Sequence, residues 1–520
     1  MSILEVKSLT KKFGDFTAND HIDLSIERGE IRAIIGENGA GKTTLMNMLY
    51  GILQPTSGEI IINEEKKDFH SPRDAIKAGI GMVHQHFKLV PSFTVYENIV
   101  LGNEINKSIK IGSKSLHSPI IDTKKEKEEI AKLIEKFNFN LNVDDRIKDI
   151  SVGARQRVEI LKMIYRNIDV LILDEPTAVL IPQEVDELLA KLQELKKQGK
   201  TIIIITHKLA EVKLCADRIS VMRRGKIVGT VENDAHTSQE DLAEMMVGRK
   251  VLFRLPKSET KKEGTLLYSV HDICAKDRSG REVIRNVSFD IHAGEVLGVV
   301  GVEGNGQSEL MLLLSGLMKF ESGHVFLKGK DVTGLWPDKL RELGLGIIPE
   351  DRYIQGLCKD LTVQYNLVAG YHGTAQFCKM GLMRNKNIQA FMDQKVTEFD
   401  IRLSSANPKV SSLSGGNAQK IILAREIGQN PSVLISSQAT RGLDIGATEF
   451  VQKNILKLRE EGKAVLYISS EMSEVISVSD RIIVLYRGEV VGEFDAHAVS
   501  QRELGLYMSG AKRMEKEVLA

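Results

Sequence analysis

A chain of 520 residues is too long for a single hydrophobic core. Its hydrophobic fraction of 42% is that of a soluble globular protein, and 71 Lys+Arg nearly cancel 70 Asp+Glu, which excludes a global basic field for nucleic acid or an anionic membrane surface. Four cysteines (Cys215, Cys274, Cys358 and Cys378) lack the paired spacing of a zinc site and read as reduced thiols.

The N-terminal MSILEVKSLTKKFGD has no apolar core long enough for a signal peptide, and the longest apolar runs, such as IIIIT at 202–206, have strand length. Neither export through the general route nor a membrane span is expected. EIRAII (30–35) reads as a short buried strand. It runs into GENGAGKTT (36–44), which fills every position of G-x-x-x-x-G-K-[ST] and leads into the helical TTLMNMLYGIL. Such a loop suits the phosphates of a nucleotide: glycines let successive backbone N–H groups converge on them, and the helix start adds its positive dipole end. Gly36, Glu37, Asn38, Gly39, Ala40, Gly41 and Thr44 form the cradle, Lys42 carries charge to the β- and γ-phosphates, and Thr43 can ligate Mg2+.

Further along, Gln85 in GMVHQHF can reach the metal or the attacking water from a loop. His84 and His86 flank it, but without a third ligand nearby they read as ordinary polar side chains. EKEEIAKLIEKF (126–137) has Ile130, Leu133, Ile134 and Phe137 on one face and predicts a helix. The run VLILDEPT (170–177) ends in adjacent carboxylates. Asp174 suits Mg2+, directly or through its outer sphere, and Glu175 suits a general base; a capping pair at a strand end is the alternative. After the strand TIIIIT (201–206), His207 is placed to hydrogen-bond the γ-phosphate, a purely structural histidine being the alternative.

The chain then repeats itself. IRAIIGENGAGKTTLM (31–46) lies over VLGVVGVEGNGQSELM (296–311), an offset of 265, and VLILDEPTAVLI (170–181) over VLISSQATRGLD (433–444), an offset of 263. ITHKLAEV (205–212) likewise lies over ISSEMSEV (468–475). A repeat this long is a whole domain. The expected division is a first domain at 1–248, a linker at 249–264 centred on the polar RLPKSETKKEG (254–264), and a second domain at 265–512. Apolar runs alternating with amphipathic stretches predict an α/β fold with a mainly parallel sheet, which binds ligands at the carboxyl ends of its strands.

In the second half, LSGGNAQK (413–420) is a glycine-serine loop opening a helix. The order of phosphate loop, glutamine loop, LSGG-type signature, DEPT and histidine resembles the ATP-binding-cassette ATPases, over nearly the whole chain and twice. The resemblance implies two tandem P-loop NTPase domains, each with a mainly parallel core sheet, an antiparallel β subdomain and a helical subdomain. It also implies that the halves meet head to tail as an intramolecular pseudo-dimer. One composite site then joins GENGAGKTT, Gln85, Asp174, Glu175 and His207 to Ser414, Gly415, Gly416 and Asp444, every part intact. Phe13 falls where family members stack an aromatic on adenine, with core packing as its rival reading. In the other composite site Gln307 replaces the lysine, Ser437 the metal carboxylate, Gln438 the base, Ser470 the histidine and Glu350 the loop glutamine. Arg278 or a neighbour aligns with Phe13, SVGAR (151–155) is a depleted signature, and Ile181 aligns with Asp444. Losses confined to one site imply one hydrolysing site and one quiet site.

GVEGNGQ, PEDR (349–352), LSGGNAQK and TRGLD resemble the ATPases of bacterial monosaccharide and nucleoside importers, and SVGARQRVEI with DEPTAVLIPQE looks most like the nucleoside branch. The resemblance implies a peripheral motor at the cytoplasmic face of the inner membrane, with ATP and Mg2+ as its ligands. It implies two transmembrane permease subunits, met through the segments after Gln85 and Glu350, an external substrate-binding lipoprotein, and no nucleic acid. A nucleoside is the leading substrate; a monosaccharide or riboflavin follows. A non-transport cytosolic cassette ATPase is the rival of another class, but such proteins usually keep both sites competent and carry a long charged linker.

Overall fold

The structure, a computed structural model, describes residues 2–84, 88–111, 114–137, 139–177, 180, 182–249, 264–403 and 405–514. The chain forms two compact units, Met1–Val251 and Leu252–Ala520. Apart from Arg249 and Gly264, the expected linker at 249–264 lies outside the described residues.

In the first unit the β-branched runs Ile31–Gly36, Val170–Asp174 and Thr201–Thr206 are buried along their whole length. Runs apolar on both faces belong inside a parallel sheet covered on both sides. They do so here: the strand order is Lys226–Glu232, Arg218–Arg223, Ile31–Gly36, Thr201–Thr206, Val170–Asp174, Ile80–Val83, parallel except for the first, antiparallel edge. A second, antiparallel sheet of Phe16–Glu27, Ser2–Phe13, Ser57–Ile62 and Glu65–Lys67 packs Leu4, Val6, Leu9 and Ile22 against the helix Lys42–Leu49 and one face of the core sheet. Helices Thr123–Lys136, Val152–Tyr165 and Pro182–Lys197 line the other core. The helix predicted over 126–137 starts earlier, at Thr123, because Asp122 caps it by accepting from Lys125 N at 3.3 Å.

The second unit repeats this plan. Its core sheet has the order Leu345–Ile348, Val433–Ser437, Ala464–Ile468, Val296–Val300, Arg481–Tyr486, Glu489–Asp495, again with one antiparallel edge. Even the register is kept. Val170 faces Thr201 and Val433 faces Ala464; Ile80 faces Val170 and Leu345 faces Val433; Arg218 faces Arg32 and Arg481 faces Leu297. The expected architecture of parallel core, antiparallel sheet and helical part is present in each unit. Among the described residues no helix is long and apolar enough to cross a membrane.

Candidate nucleotide site

The intact phosphate loop leaves the carboxyl end of the central strand Ile31–Gly36 and enters the helix at Lys42. Gly41, the helix cap, has φ 99, and a Cβ there would meet Ala18 O at 2.6 Å and Asn19 Nδ2 at 2.8 Å. Only glycine fits that turn. Asn19 is fully buried and its Nδ2 donates to Gly41 O at 3.1 Å, so a neighbouring strand fixes the loop from below.

Lys42 is buried, and its Nζ donates to Gly36 O at 2.7 Å and Glu37 O at 3.0 Å. Burial lowers its pKa, opposed by the charges of Glu175 and Asp174. Those carboxylates stand at the end of the adjacent strand Val170–Asp174. Burial pushes Asp174 up to about 6, the Glu175 charge adds to the shift, and Lys42 opposes it. Glu175 is driven the other way, chiefly by its hydrogen bond with His207: Nδ1 lies 3.0 Å from Glu175 Oε1. The two adjacent carboxylates are thus pushed apart in pKa, one by burial and the other by its imidazole partner. Glu175 reaches this place through a left-handed backbone, φ 47, with its N–H donating to Ile205 O at 2.8 Å.

Beneath this pair lies a contact that sequence reasoning missed. Thr177 Oγ1 donates to Glu211 Oε2 at 2.5 Å, and Lys208 Nζ donates to Thr177 O at 3.2 Å. The threonine of DEPT was its only visible signal.

Phe13 ends the strand Ser2–Phe13 and is 48% exposed, with Lys11 Nζ 5.2 Å from its ring centroid, so core packing is not its role. His84 packs edge-on against Tyr50, and no group of three or more His, Cys, Asp or Glu that could hold a metal occurs among the described residues. Gln85, His86 and Ile181 lie outside the described residues.

In the second unit Ser414 caps the helix Gly415–Ile427, with Asn417 Nδ2 donating to its Oγ at 3.1 Å. Asp444 caps the helix Ile445–Glu460 by accepting from Ala447 N at 2.6 Å, and a Cβ on Gly416 would lie 4.0 Å from its Oδ2. Ser414, Gly415, Gly416 and Asp444 therefore form one local cluster.

The second phosphate loop keeps its backbone and loses its chemistry. Gly306 caps the helix Gln307–Leu314 with φ 109, and Gly488 N donates to Asn305 O at 2.9 Å as Gly225 N does to Ala40 O at 3.0 Å. The buried Gln307 folds back on Gly301, where a Cβ would meet its Nε2 at 2.3 Å. Ser437 Oγ, at the metal-carboxylate position, is buried without a hydrogen-bond partner among the described residues. Gln438 keeps φ 47 and accepts from Ser470 N and Oγ, both at 3.3 Å. Ser308 Oγ donates to Glu350 Oε2 at 2.6 Å, and Arg441 ion-pairs with Glu350 and Glu303 at 3.3 and 3.5 Å. Arg278 lies exposed in a turn, beyond the strand Leu266–Lys276.

The pattern of the family described as ABC transporter matches this chain twice, at residues 19–178 and 284–441. The chain is 45% identical to a nucleoside import ATP-binding protein, NupA, of Lactococcus lactis, over 98% of both chains. It is 42% identical to a guanosine import ATP-binding protein, NupO, of Bacillus subtilis, over 99% of this chain and 98% of the relative. A glucose import ATP-binding protein, TsgD13, of Haloferax volcanii is 40% identical over 98% of this chain and 96% of its own. A solved ATP-binding cassette of an ABC transporter in its ADP conformation is similar at 26% identity, over 48% of this chain and 95% of that one, with a TM-score of 0.40.

Proposed function

The chain belongs to the ABC transporter family through both of its units, and from that premise we propose that it is the ATP-hydrolysing motor of a nucleoside importer. The observation that carries the motor reading is the division of labour: Lys42, Asp174, Glu175 and His207 gathered at one loop, Gln307, Ser437, Gln438 and Ser470 at the other.

The cradle Gly36–Thr44 binds the ATP phosphates, and Phe13 lies exposed for the adenine face. Thr43 and Asp174 are the hard oxygen donors that suit Mg2+, and Gln85 is the expected third. Magnesium neutralises phosphate charge when bound. Glu175 accepts the proton of the attacking water, and His207 holds that carboxylate and faces the γ-phosphate. Ser414, Gly415, Gly416 and Asp444 of the second unit complete the same site. The quiet loop keeps its N–H cradle without a metal carboxylate or a base.

The motor works at the cytoplasmic face of the inner membrane. Two permease subunits receive it through the segments after Gln85 and Glu350, where Ile354 is 83% exposed. An external lipoprotein delivers the cargo. A monosaccharide is the second reading of that cargo, favoured by the glucose-import relative.

Uptake of radiolabelled guanosine, uridine, ribose and glucose by cells with the gene deleted, then restored, tests the cargo. Loss and recovery of nucleoside uptake alone supports the reading; a sugar-only defect moves it to the monosaccharide class. Unchanged uptake of all four overturns the cargo reading, and magnesium-ATP hydrolysis by the purified chain that survives Lys42→Ala overturns the motor reading.

A further inference from the structure

In the second unit PEDR follows the edge strand Leu345–Ile348, and each of its three charged residues has a defined partner. Glu350 accepts from Ser308 of the quiet loop at 2.6 Å. Asp351 Oδ1 accepts from Tyr353 N at 2.7 Å and Ile354 N at 2.8 Å, which closes the turn Arg352–Gly356 and fixes where Arg352 starts. Arg352 Nη1 donates to Gly415 O at 3.2 Å, and its Nη2 donates to Arg441 O. Gly415 is the first residue of the signature helix, between Ser414 and Gly416. A Cβ on Gly415 would stand 3.0 Å from Arg352 Nη1, so the guanidinium lies against the loop itself.

The far end of the same turn is tied as well. Arg425, near the end of the signature helix, donates from Nη1 to Gly356 O at 2.8 Å. The turn is thus fastened at both ends of the helix Gly415–Ile427. In the first unit Glu159, midway along the helix Val152–Tyr165, accepts from Lys88 N at 2.7 Å.

We infer that Arg352 is a positioning residue for ATP hydrolysis: its planar fork spans two backbone carbonyls and holds Ser414–Gly416 where they complete the first site. The inference rests on the proposal that this signature serves the nucleotide of the first loop. Arg352 acts on kcat through Gly415, whose carbonyl its Nη1 holds. Because the turn also carries the exposed Ile354, a push on it by a partner reaches Gly415 through one side chain.

The test compares full-length wild type, Arg352→Ala, Arg352→Lys and Ser414→Arg by steady-state ATPase, binding of a fluorescent ADP and thermal unfolding. Arg352→Ala is expected to lower kcat between about tenfold and a hundredfold, with KM and ADP affinity within about threefold of wild type. Arg352→Lys, which keeps one donor to Gly415 O, is expected to recover part of kcat. Turnover in Arg352→Ala within about twofold of wild type, while Ser414→Arg is inactive, overturns the inference alone. Full activity of Ser414→Arg overturns the shared-site proposal beneath it. Parallel loss of ADP binding and melting temperature in both Arg352 variants also overturns it, because the arginine is then structural. If Arg352→Ala does not fold, Arg352→Met, which keeps an apolar stem and removes every donor, takes its place under the same criteria.

Discussion

Glu175 and Gln438 share one backbone conformation, φ 47 in each, at the same strand end and with the same N–H···O bond of 2.8 Å to the neighbouring strand. A residue with a Cβ in the left-handed region costs about 1–2 kcal/mol. In the first unit that strain aims a carboxylate at the phosphate loop; in the second it aims a neutral amide. Gln438→Gly is expected to raise stability by about 1 kcal/mol in urea unfolding and leave ATPase activity within about twofold. Lower stability would show that the amide contacts to Ser470 outweigh the strain.

Glu175→Gln keeps the shape of the side chain and removes its basicity. Turnover is expected to fall at least about a hundredfold while ADP affinity stays near wild type. Substantial steady-state hydrolysis in this variant would mean that the second loop also turns over, and the division of labour would be wrong.

Burial, with the Glu175 charge added, pushes Asp174 up to about 6 from the ordinary carboxylate value of about 4, over the opposing pull of Lys42. The fold therefore binds this proton more tightly than the unfolded chain. Its stabilising effect is full below about pH 4 and is lost as pH rises through about 6. Asp174→Asn cannot lose it, so the variant is expected to gain on wild type between pH 4 and 7 by an amount on the order of 2 kcal/mol. Urea midpoints at pH 4, 5.5 and 7 without metal check this, and parallel profiles would sink it.

Glu474 accepts from Thr440, as Glu211 accepts from Thr177 in the first unit, and also from Tyr467 and Ser469 at 3.3 and 3.5 Å. There Lys208 stands 3.7 Å from the glutamate; here Glu471 takes the lysine's position. Burial pushes Glu474 up to about 7, Glu471 adds to the shift, and the Thr440 hydrogen bond opposes it. By the same sign, its stability contribution is lost as pH rises through about 7. Glu471→Lys is expected to lower that pKa and raise stability at pH 8 by about 1 kcal/mol, with less change at pH 5. Equal urea midpoints for variant and wild type at pH 8 would refute it.

Most of the fold was legible because burial on both faces leaves a plain mark: VLILD and TIIIIT are continuous apolar runs, and their repetition in the second half named both core sheets. The loop Gly36–Thr44 was legible because its turn needs glycines at fixed positions, as the left-handed Gly41 shows. Less legible were contacts that depend on which side chain crosses to which backbone carbonyl. PEDR drew notice by its position, but nothing in its letters says that Arg352 reaches Gly415, 63 residues away. Asn19 likewise gave no hint that it braces Gly41, because a buried asparagine among polar neighbours has no period to reveal it.

Between Thr201–Thr206 and Val170–Asp174, and between their counterparts Ala464–Ile468 and Val433–Ser437, not one rung has slipped. A ladder so faithfully copied, bearing DE in one half and SQ in the other, means that the frame never relied on those carboxylates for its own assembly. The second half keeps the same ladder with a serine and a glutamine at its end, so the sheet beside its signature helix does not depend on a carboxylate there.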